Sequence, residues 1–436
     1  MELIDKIIAA GNLTQACNEV VGNKGAGGVD KMPVEELKLY LDANRDQITE
    51  QLLTGTYLPQ PIRGKTIPKS NGKKRLLGIP KVADRMLQQA TQRVIMPLYE
   101  YEFSSYSYGF RPLRNTHQAV HKSLDYINSG YQHIVEIDLK NFFDEVNHVL
   151  LLQLLYRKIK CRKTMLLIKR WLRAPIEIDG KLHKRRKGLP QGSPLSPLLS
   201  NIMLHELDRE MERQGLRFVR YADDFSIYCK TKQDARTAGN AIFLFLKHKL
   251  KLEINRDKSG IRRPVHLQIL GYGFVPVYRK GERGKYQLVV SKKKWKALKQ
   301  KLKEATRKTS PMSFEERIQQ VNAIQRGWLN YSKYGSIRQK LVEIDGWLRN
   351  RLRYCIWTDW KKPEKKRSSL IRLGVEPSMA YAWSRTRMGG WAVAQSPILG
   401  TTVTVKRLKT RGYMSLSELY SSLETSNYKS SLFPTI

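Results

Sequence analysis

The sequence predicts an α+β fold followed by a basic helical domain, and three observations support this prediction. Between residues 61 and 280, stretches in which apolar and polar residues alternate, typical of strands, are interspersed with amphipathic helical stretches. After residue 291 the chain changes character, and Lys-rich segments with helical periodicity follow one another. With 436 residues, 41% of them hydrophobic, the chain is long enough for two or three compact units.

The charge of the chain predicts a polyanionic partner. Lys and Arg number 79 against 39 acidic residues, a formal net charge of +40. This self-repulsion is offset when basic side chains neutralise phosphates and release condensed counterions. Charge alone leaves a ribosomal-type or membrane-surface protein as the alternative. No segment reaches the roughly 18 apolar residues of a membrane helix, and the N-terminus lacks the features of a secretory signal. We therefore expect a cytoplasmic nucleic-acid protein with no membrane partner.

The first 80 residues predict helices and then a hairpin. Residues 1–60 are expected to form helices around a glycine-rich loop at residues 23–30, NKGAGGVD. Composition alone leaves an ordinary turn and a functional loop equally open. Residues 61–80 predict a basic β-hairpin, because Asn71-Gly72 is a strong tight-turn signal between two extended runs. A helix with an apolar stripe is expected to follow.

Two later stretches carry carboxylates at strand ends. Alternation in residues 131–148 predicts a strand whose apolar side chains face a core, with Asp138 on the opposite face. Residues 216–229 predict two short strands with Asp223 and Asp224 at or near the turn between them. An isolated Asp-Asp turn is usually only a turn. Together with Asp138, however, it suits magnesium, which takes few carboxylates, and predicts metal-dependent nucleotidyl transfer.

The remainder of the chain is predicted to be helical and basic. Three amphipathic helices with charged outer faces are expected after residue 291, which suggests a bundle. Residues 396–436 have weak periodicity and are left without assigned elements. The four cysteines form no Cys-x-x-Cys pair, so neither a zinc site nor a disulfide framework is predicted.

The order of motifs resembles group II intron-encoded reverse transcriptases, also called intron maturases, over nearly the whole chain. Matching stretches are NKGAGGVD, IPKSNGKKRLLGIP, SYGFRP, VEIDLKNFFDEVNH, GLPQGSPLSPLLSNIMLHELD, FVRYADDF, LKLEINRDKSG, ILGYGF and RGWLNYSKYG. The resemblance implies a right-hand polymerase, with fingers and a palm built on an antiparallel sheet and helices, followed by an α-helical thumb or maturase domain. No paired cysteines with catalytic histidines follow the thumb motif, so the chain resembles the compact class IIC type without an endonuclease domain.

The resemblance also divides the chain into four segments. Residues 1–60 match an N-terminal extension with a template-contacting loop, and residues 61–280 match the fingers and palm of the reverse transcriptase domain. Residues 285–395 match the helical thumb or maturase domain. We expect the C-terminal segment, residues 396–436, to bind DNA.

The resemblance implies catalytic roles for particular residues. Asp138, Asp223 and Asp224, with the backbone carbonyl of Leu139, match the ligands of two Mg²⁺ ions, for which Mn²⁺ is an alternative. Phe143 matches the aromatic plate under the incoming sugar, which leaves no room for a 2′-hydroxyl; a core phenylalanine is the other interpretation. The residues matched to dNTP binding are Arg63, Lys69, Arg75, Phe143, Gln191 and Lys258, with Gly192 beside Gln191 in the bend behind the templating pair.

Template or RNA contacts are expected from the glycine loop, the SYGFRP motif and the basic helices. The candidates are Asn23, Lys24, Gly25, Gly27, Gly28, Arg111, Lys292, Lys293, Lys296, Arg349 and Arg353, with Lys299 and Arg351 as further exposed cations. The partners implied are group II intron RNA, an RNA template with a DNA primer or target DNA, and dNTPs. Monomer and homodimer both stay open.

The function implied is RNA-directed DNA synthesis for intron mobility, combined with RNA binding that assists splicing. Two alternatives stay open at this point. One is an RNA-binding splicing cofactor whose polymerase activity is dispensable. The other is a domesticated reverse transcriptase in phage defence or spacer acquisition.

Overall fold

A computed structural model describes residues 2–68, 72, 74–278, 282 and 284–423. The chain forms two compact units, Met1–Leu267 and Gln268–Ile436. The division lies earlier than the predicted boundary at 280–285, because the strands that follow Leu267 pair with one another in a sheet of their own. Helices and short strands are mixed in the first unit, and helices dominate the second, which confirms the α+β fold class.

The first unit contains ten helices and eight strands among the residues that the structure describes. They are α1 (Leu3–Ile8), α2 (Ala10–Gly22), α3 (Leu37–Thr54), β1 (Ile62–Pro68), β2 (Lys74–Ile79), α4 (Val82–Glu100), α5 (Thr116–Asn128), β3 (His133–Ile137), α6 (Phe142–Glu145), α7 (His148–Tyr156), α8 (Arg162–Arg173), β4 (Ile176–Ile178), β5 (Lys181–His183), α9 (Ser196–Arg213), β6 (Arg217–Tyr221), β7 (Asp224–Cys229), α10 (Lys232–Phe245) and β8 (Gly260–Arg262). A π-helical turn, Leu246–Leu250, continues α10, and 3₁₀ turns lie at Val34–Glu36 and Pro264–His266.

The strands of the first unit form two four-stranded sheets. One has the order β2-β1-β4-β5, and its antiparallel β1–β2 pair confirms the hairpin predicted for residues 61–80. The other has the order β6-β7-β3-β8 with every pair antiparallel. β3 is a central strand of this second sheet, which explains why its apolar side chains are buried.

Helix α4 is the central helix of the N-terminal half of this unit. Its predicted apolar stripe is buried, and it packs against α2 and α1. Asp84 in its first turn is also buried and accepts hydrogen bonds from the Tyr57 hydroxyl (2.8 Å), the Gln60 amide (3.2 Å) and the Trp171 indole (3.1 Å). These three hydrogen bonds connect the segment before β1 and helix α8 to helix α4. They therefore fix the position at which the hairpin begins.

The second unit begins with a three-stranded sheet and continues as helices. Its elements are β9 (Gln268–Ile269), β10 (Tyr272–Pro276), β11 (Tyr286–Val290), α11 (Lys292–Ala305), α12 (Phe314–Ser332), α13 (Arg338–Asp359), α14 (Pro363–Arg372), α15 (Pro377–Ser384), α16 (Gly390–Gln395), α17 (Pro397–Thr402) and α18 (Val405–Thr410). The sheet order is β11-β10-β9. Trp295 of α11 and Trp328 of α12 pack with ring centroids 4.5 Å apart, so both indoles hold the helix pair together.

The segment after residue 396 is folded as far as it is described. Leu399, Leu408 and Leu416 are fully buried. The carboxylate of Asp345 accepts hydrogen bonds from the backbone amides of Leu416 (2.7 Å) and Ser417 (2.9 Å), which lie at the start of a helix over 416–423. This part of the predicted tail therefore belongs to the helical unit, while residues 424–436 lie outside the described residues.

Every helix among the described residues is too short or too polar to cross a bilayer.

Candidate active site

The predicted carboxylate turn is a tight connection between β6 and β7. Tyr221 pairs with Asp224, so Ala222 and Asp223 are the two turn residues. Ala222 has φ +57°, a left-handed conformation that non-glycine residues seldom adopt outside tight turns. The turn predicted from the sequence is therefore present.

Strand register brings the third carboxylate to the same place. Ile137, the last residue of β3, pairs with Phe225 of β7. Continuing this antiparallel register by one residue places Asp138 across from Asp224. The three aspartates thus lie at one end of two neighbouring strands.

The carboxylates of this cluster repel one another, so a nearby positive charge would stabilise their ionised forms. Burial raises the pKa of Asp224 to about 6, and the negative charges of Asp223, Asp138 and Glu136 contribute to the same shift. Burial also raises the pKa of Asp223, with a further contribution from Asp138. The Lys258 ammonium lies 3.1 Å from the Asp138 carboxylate and partly compensates the cluster. Carboxylates held together in this way suit a hard divalent cation.

The backbone near Asp138 is consistent with an additional oxygen donor. Leu139 forms a bridge with Ile254, flanked by bonds from the Lys140 amide to Glu253 (2.8 Å) and from Asn255 to the Asp138 carbonyl (2.8 Å). In an antiparallel ladder, a residue between such bonds directs its own carbonyl to the opposite side. The Leu139 carbonyl therefore points away from the 253–255 segment. Among the described residues, no group of three or more His, Cys, Asp or Glu side chains is already arranged around an ion position.

A cavity of about 620 Å³ adjoins the carboxylate turn. Its lining brings together six residues that the sequence singled out: Asn23, Arg75, Phe143, Gln191, Gly192 and Asp223. They come from five different segments of the first unit. A nucleotide-sized space is thus bordered at once by a carboxylate, a guanidinium, an aromatic ring and an amide.

Phe143 is part of the cavity wall, and its neighbour is the core residue. Phe142 is 2% exposed, whereas Phe143 is half-buried and packs edge-on to it at 5.3 Å between ring centroids. The Phe143 carbonyl accepts a hydrogen bond from the Leu189 amide (2.6 Å). Gly188 has φ +86°, and an added Cβ would lie 2.8 Å from the Asp144 carbonyl oxygen. The backbone at 188–189 therefore holds the short helix α6 in place.

The predicted bend at residues 191–192 is joined to the hairpin. The Gly78 amide donates to the Gln191 carbonyl at 2.9 Å. Gly192 has φ +127°, and a Cβ there would lie 2.7 Å from the Gly78 carbonyl oxygen. Glycine is therefore required at 192, both for its conformation and for the close approach of the two backbones.

The three hairpin residues predicted to contact dNTP have different surroundings. Arg75 is exposed, lines the cavity and is close enough to Asp223 to act on its pKa. Arg63 donates from Nη1 to the Gly27 carbonyl at 3.4 Å, so the structure connects it to the glycine loop. Lys69 lies outside the described residues.

The glycine loop is held against α4 by a residue that sequence reasoning missed. Arg85 is buried and donates from Nη2 to the Ala26 carbonyl at 2.6 Å. A Cβ on Gly25 would overlap the Arg85 guanidinium, and one on Gly28 would lie 2.7 Å from the Lys81 Cα. Part of the glycine content therefore serves packing. A lone arginine in an amphipathic helix carries no sequence signal for such a role.

Several arginines that the sequence predicts to contact RNA form internal hydrogen bonds. Arg111 has a side chain that is 4% exposed and donates to Glu100 and to the carbonyls of Ser104 (2.5 Å) and Ser107 (2.8 Å). In the second unit, Arg353 donates to the carbonyl of Val403 (3.0 Å), and Arg351 is bonded internally too. These guanidiniums stabilise the fold. The α11 cations Lys292, Lys293, Lys296 and Lys299 are exposed as predicted, whereas Arg349 is half-buried. Lys24 of the glycine loop is exposed too.

Two family models match the chain. Residues 67–274 match the family described as reverse transcriptase (RNA-dependent DNA polymerase), a range that includes β2, the carboxylate turn and the cavity-lining residues from Arg75 onward. Residues 295–374 match the maturase-specific domain of group II introns, which covers α11 to α14.

Curated relatives agree with these matches. Protein YkfC of Escherichia coli (strain K12) is 33% identical over 289 residues, which cover 57% of this chain and 76% of that protein. The group II intron-encoded protein LtrA of Lactococcus lactis subsp. cremoris is 32% identical over 292 residues, 52% of this chain. The match spans only about half of LtrA, 49% of its length. Among solved structures, a chain of a partial Cas6-RT-Cas1–Cas2 complex is 26% identical, with a TM-score of 0.37 and coverage of 57% of this chain and 43% of that one.

Proposed function

The chain belongs to the reverse transcriptase family and carries the maturase-specific domain of group II introns, and from that premise we propose that it copies intron RNA into DNA. We propose a second role, the binding of intron RNA during splicing. The maturase match over residues 295–374 favours intron RNA as the partner over roles in phage defence or spacer acquisition.

The observation that carries the polymerase role is the shared cavity. Asp223 borders the same space as Phe143, Arg75 and Gln191, so reacting groups and nucleotide-binding groups would act on one molecule. A template strand is expected at the side where Asn23 lines the cavity. Arg75 is suited to the triphosphate, because a guanidinium forms paired hydrogen bonds with phosphate oxygens.

Asp138, Asp223 and Asp224 would hold Mg²⁺, or Mn²⁺ in its place, with the Leu139 carbonyl as a further donor. The buried, mutually repelling carboxylates fit this assignment, since their excess negative charge is what a divalent ion neutralises. When bound, the metal supplies a lowered pKa for the attacking 3′-hydroxyl and compensation of phosphate charge. The protein's own part is to fix the three carboxylates beside the cavity.

Selection of dNTPs is assigned to Phe143. Its ring borders the cavity, and its backbone is fixed through Leu189 and Gly188. A fixed ring beside the sugar excludes a 2′-hydroxyl by steric overlap. Lys258, whose ammonium lies 3.1 Å from the Asp138 carboxylate, would contact the triphosphate or the primer.

Binding of intron RNA is assigned to the basic surface of the second unit. The exposed lysines of α11 lie on the outer face of a helix whose apolar face packs on α12. Such cations contact backbone phosphate and confer strong salt dependence. DNA binding by the segment after residue 396 stays a prediction.

The polymerase role is tested with Asp223→Asn, which keeps the size of the side chain and removes its charge. Primer extension on a primed RNA template should be abolished, while the melting temperature stays near that of the unmodified protein. Asp46→Asn, an exposed position in α3, is the matched control and should retain full activity. Substantial cDNA synthesis by a folded Asp223→Asn protein would refute the assignment.

The splicing role is tested with the same residues. A protein with both Asp223→Asn and Asp224→Asn should still promote splicing of the intron, because RNA binding needs none of the three carboxylates. Retained splicing with lost cDNA synthesis is the expected pair of results. Loss of both activities in a folded protein would contradict the division of roles.

A further inference from the structure

We propose that a buried ion pair between Arg220 and Asp208 is a positioning device that holds the Ala222-Asp223 turn for catalysis. The inference rests on the proposed polymerase function. Arg220 is in β6, two residues before the turn, and Asp208 is in α9. Both side chains are 0% exposed. Neither residue touches the cavity, so their role would be exerted through the turn.

Each polar edge of the Arg220 guanidinium has a partner. Nε donates to Asp208 Oδ1 at 2.7 Å and Nη2 to Asp208 Oδ2 at 2.6 Å, a two-point ion pair. Nη1 donates to the side-chain oxygen of Asn201 at 2.9 Å and to the carbonyl of Ala222 at 3.0 Å. One planar group therefore connects helix α9 to the backbone of the carboxylate turn. Lysine could not reproduce this geometry, because it lacks the fork.

A second connection reaches the turn from the other side. Asn201 donates from Nδ2 to the carbonyl of Gly109 at 2.8 Å. A Cβ on Gly109 would overlap the Ala222 nitrogen and lie 3.0 Å from the Tyr221 carbonyl carbon. Asn201 and Asp208 lie two turns apart on α9 and so on one face of it. That face holds both the turn and the segment against which the turn packs.

The energetics favour a positioning role over a purely stabilising one. Moving both charges out of water costs several kcal/mol per ion, and apolar residues of similar volume often replace such pairs without loss of stability. The turn itself is strained, because Ala222 is left-handed. A rigid donor to the Ala222 carbonyl fixes this conformation and, with it, the direction in which Asp223 leaves the backbone. Apolar substitutes could fill the space but could not supply that donor.

The test replaces the pair with apolar residues in one protein, Arg220→Met with Asp208→Leu. In metal-free protein, hydrogen–deuterium exchange of the 216–229 segment should become at least tenfold faster than in the unmodified chain. In primer extension, kcat should fall at least tenfold, while KM for dNTP changes less than threefold. The separation is expected because the residues assigned to dNTP binding come mainly from the hairpin, α6 and the 188–192 bend.

The matched control is Asp84→Asn. This substitution removes another buried carboxylate of the first unit, one that is far from the turn in the sequence. Any general loss of stability should appear in this variant without faster exchange at 216–229. Unchanged exchange and unchanged kcat in the double variant would overturn the inference. Equal acceleration of exchange in the control would also overturn it, since the effect would then be global.

Two further proteins keep the test decisive. If the double variant does not fold, Asn201→Ala is used, because it keeps the ion pair and removes the links to Arg220 and Gly109. Hydrogen–deuterium exchange of the 216–229 segment should be at least threefold faster in this variant than in the unmodified chain. An unchanged exchange rate would overturn the inference. Asp223→Asn separates the two proposals: if it retains polymerisation, the proposed function fails, whereas the exchange result in metal-free protein still reports on the turn.

Discussion

Replacing Gly109 with alanine adds one methyl group, and the structure shows how far this group would displace the carboxylate turn. The new Cβ would overlap the Ala222 nitrogen and lie 3.0 Å and 3.1 Å from the Tyr221 carbonyl carbon and the Ala222 Cα. Ordinary contact requires the two backbones to separate by roughly 1 Å. Neither backbone can yield easily, because the Tyr108 amide donates to the Arg220 carbonyl at 2.9 Å and Asn201 holds the Gly109 carbonyl.

The displaced element is the turn that carries Asp223, so the cost should appear in catalysis more than in stability. Overpacking of this size typically costs about 1–3 kcal/mol of stability. A misplacement of roughly 1 Å at a reacting group costs about 10²-fold in rate. We therefore expect the rate constant of nucleotide addition by Gly109→Ala to fall about 10²-fold, equivalent to about 2.7 kcal/mol of transition-state stabilisation.

The assay is single-turnover extension of a DNA primer on an RNA template at saturating protein, with the melting temperature measured in parallel. Gly11→Ala is the control, since a Cβ at that position in α2 meets no atom within 4 Å. It should leave the rate unchanged and leave stability unchanged or slightly higher. A wild-type rate for folded Gly109→Ala would refute the reasoning, because the close approach would then be irrelevant to the turn.

Three further predictions concern the cavity, the C-terminal segment and the basic surface. Phe143→Ala should raise the use of rNTPs relative to dNTPs roughly tenfold in primer extension, because the cavity wall that excludes a 2′-hydroxyl is removed; an unchanged ratio would assign Phe143 to packing alone. Asp345→Ala should lower the free energy of unfolding by about 3 kcal/mol, because amides at 416–417 lose their charged acceptor. Limited proteolysis should then cut first after residue 412, and uniform cleavage would contradict this. Finally, log K for intron RNA should fall linearly with log[salt], and Lys292→Ala with Lys296→Ala should reduce the slope by about 2; a flat plot would contradict the charge argument.

Much of the first unit could be predicted because its signals are local. The hairpin at 61–80 follows from turn chemistry, and the strand before Asp138 follows from alternation over a few residues. The turn at 222–223 also follows from a local signal, an Asp-Asp pair between two short apolar runs. The cavity could not be located by such signals, because its lining residues lie on segments far apart in the sequence.

The elements of the C-terminal segment cannot be predicted from the sequence, for a different physical reason. Its helices α16, α17 and α18 have six residues each, fewer than two turns. A 3.6-residue period cannot be recognised over so short a stretch, so periodicity appears weak even though Leu399 and Leu408 are fully buried. Tertiary contacts, such as the Asp345 carboxylate at the start of the helix over 416–423, stabilise what local sequence does not specify.

Arginine is the residue type whose role is hardest to predict from this sequence, and the reason is general. A chain with 79 Lys and Arg residues offers many cations for an RNA surface. Arg85 donates to a backbone carbonyl, as do Arg353 and, besides its ion pair with Glu100, Arg111, and a carbonyl is the same group in every residue. The partner therefore leaves no mark in the sequence. Exposed lysines suffer less from this ambiguity, because an ammonium is more strongly hydrated and is seldom buried.

Arg220 shows that an internal arginine can still be found when its partner is a side chain. Alternation in β6 places Arg220 on the same face as Phe218, which is fully buried. In α9, Asp208 follows Leu207 and precedes Met211 on the buried side. A cation and an anion, each on the apolar face of consecutive elements joined by a short turn, must meet or remain unpaired in the core. Opposite charges on facing apolar stripes therefore predict a buried pair, and its distance of two residues from the carboxylate turn predicts what that pair would hold.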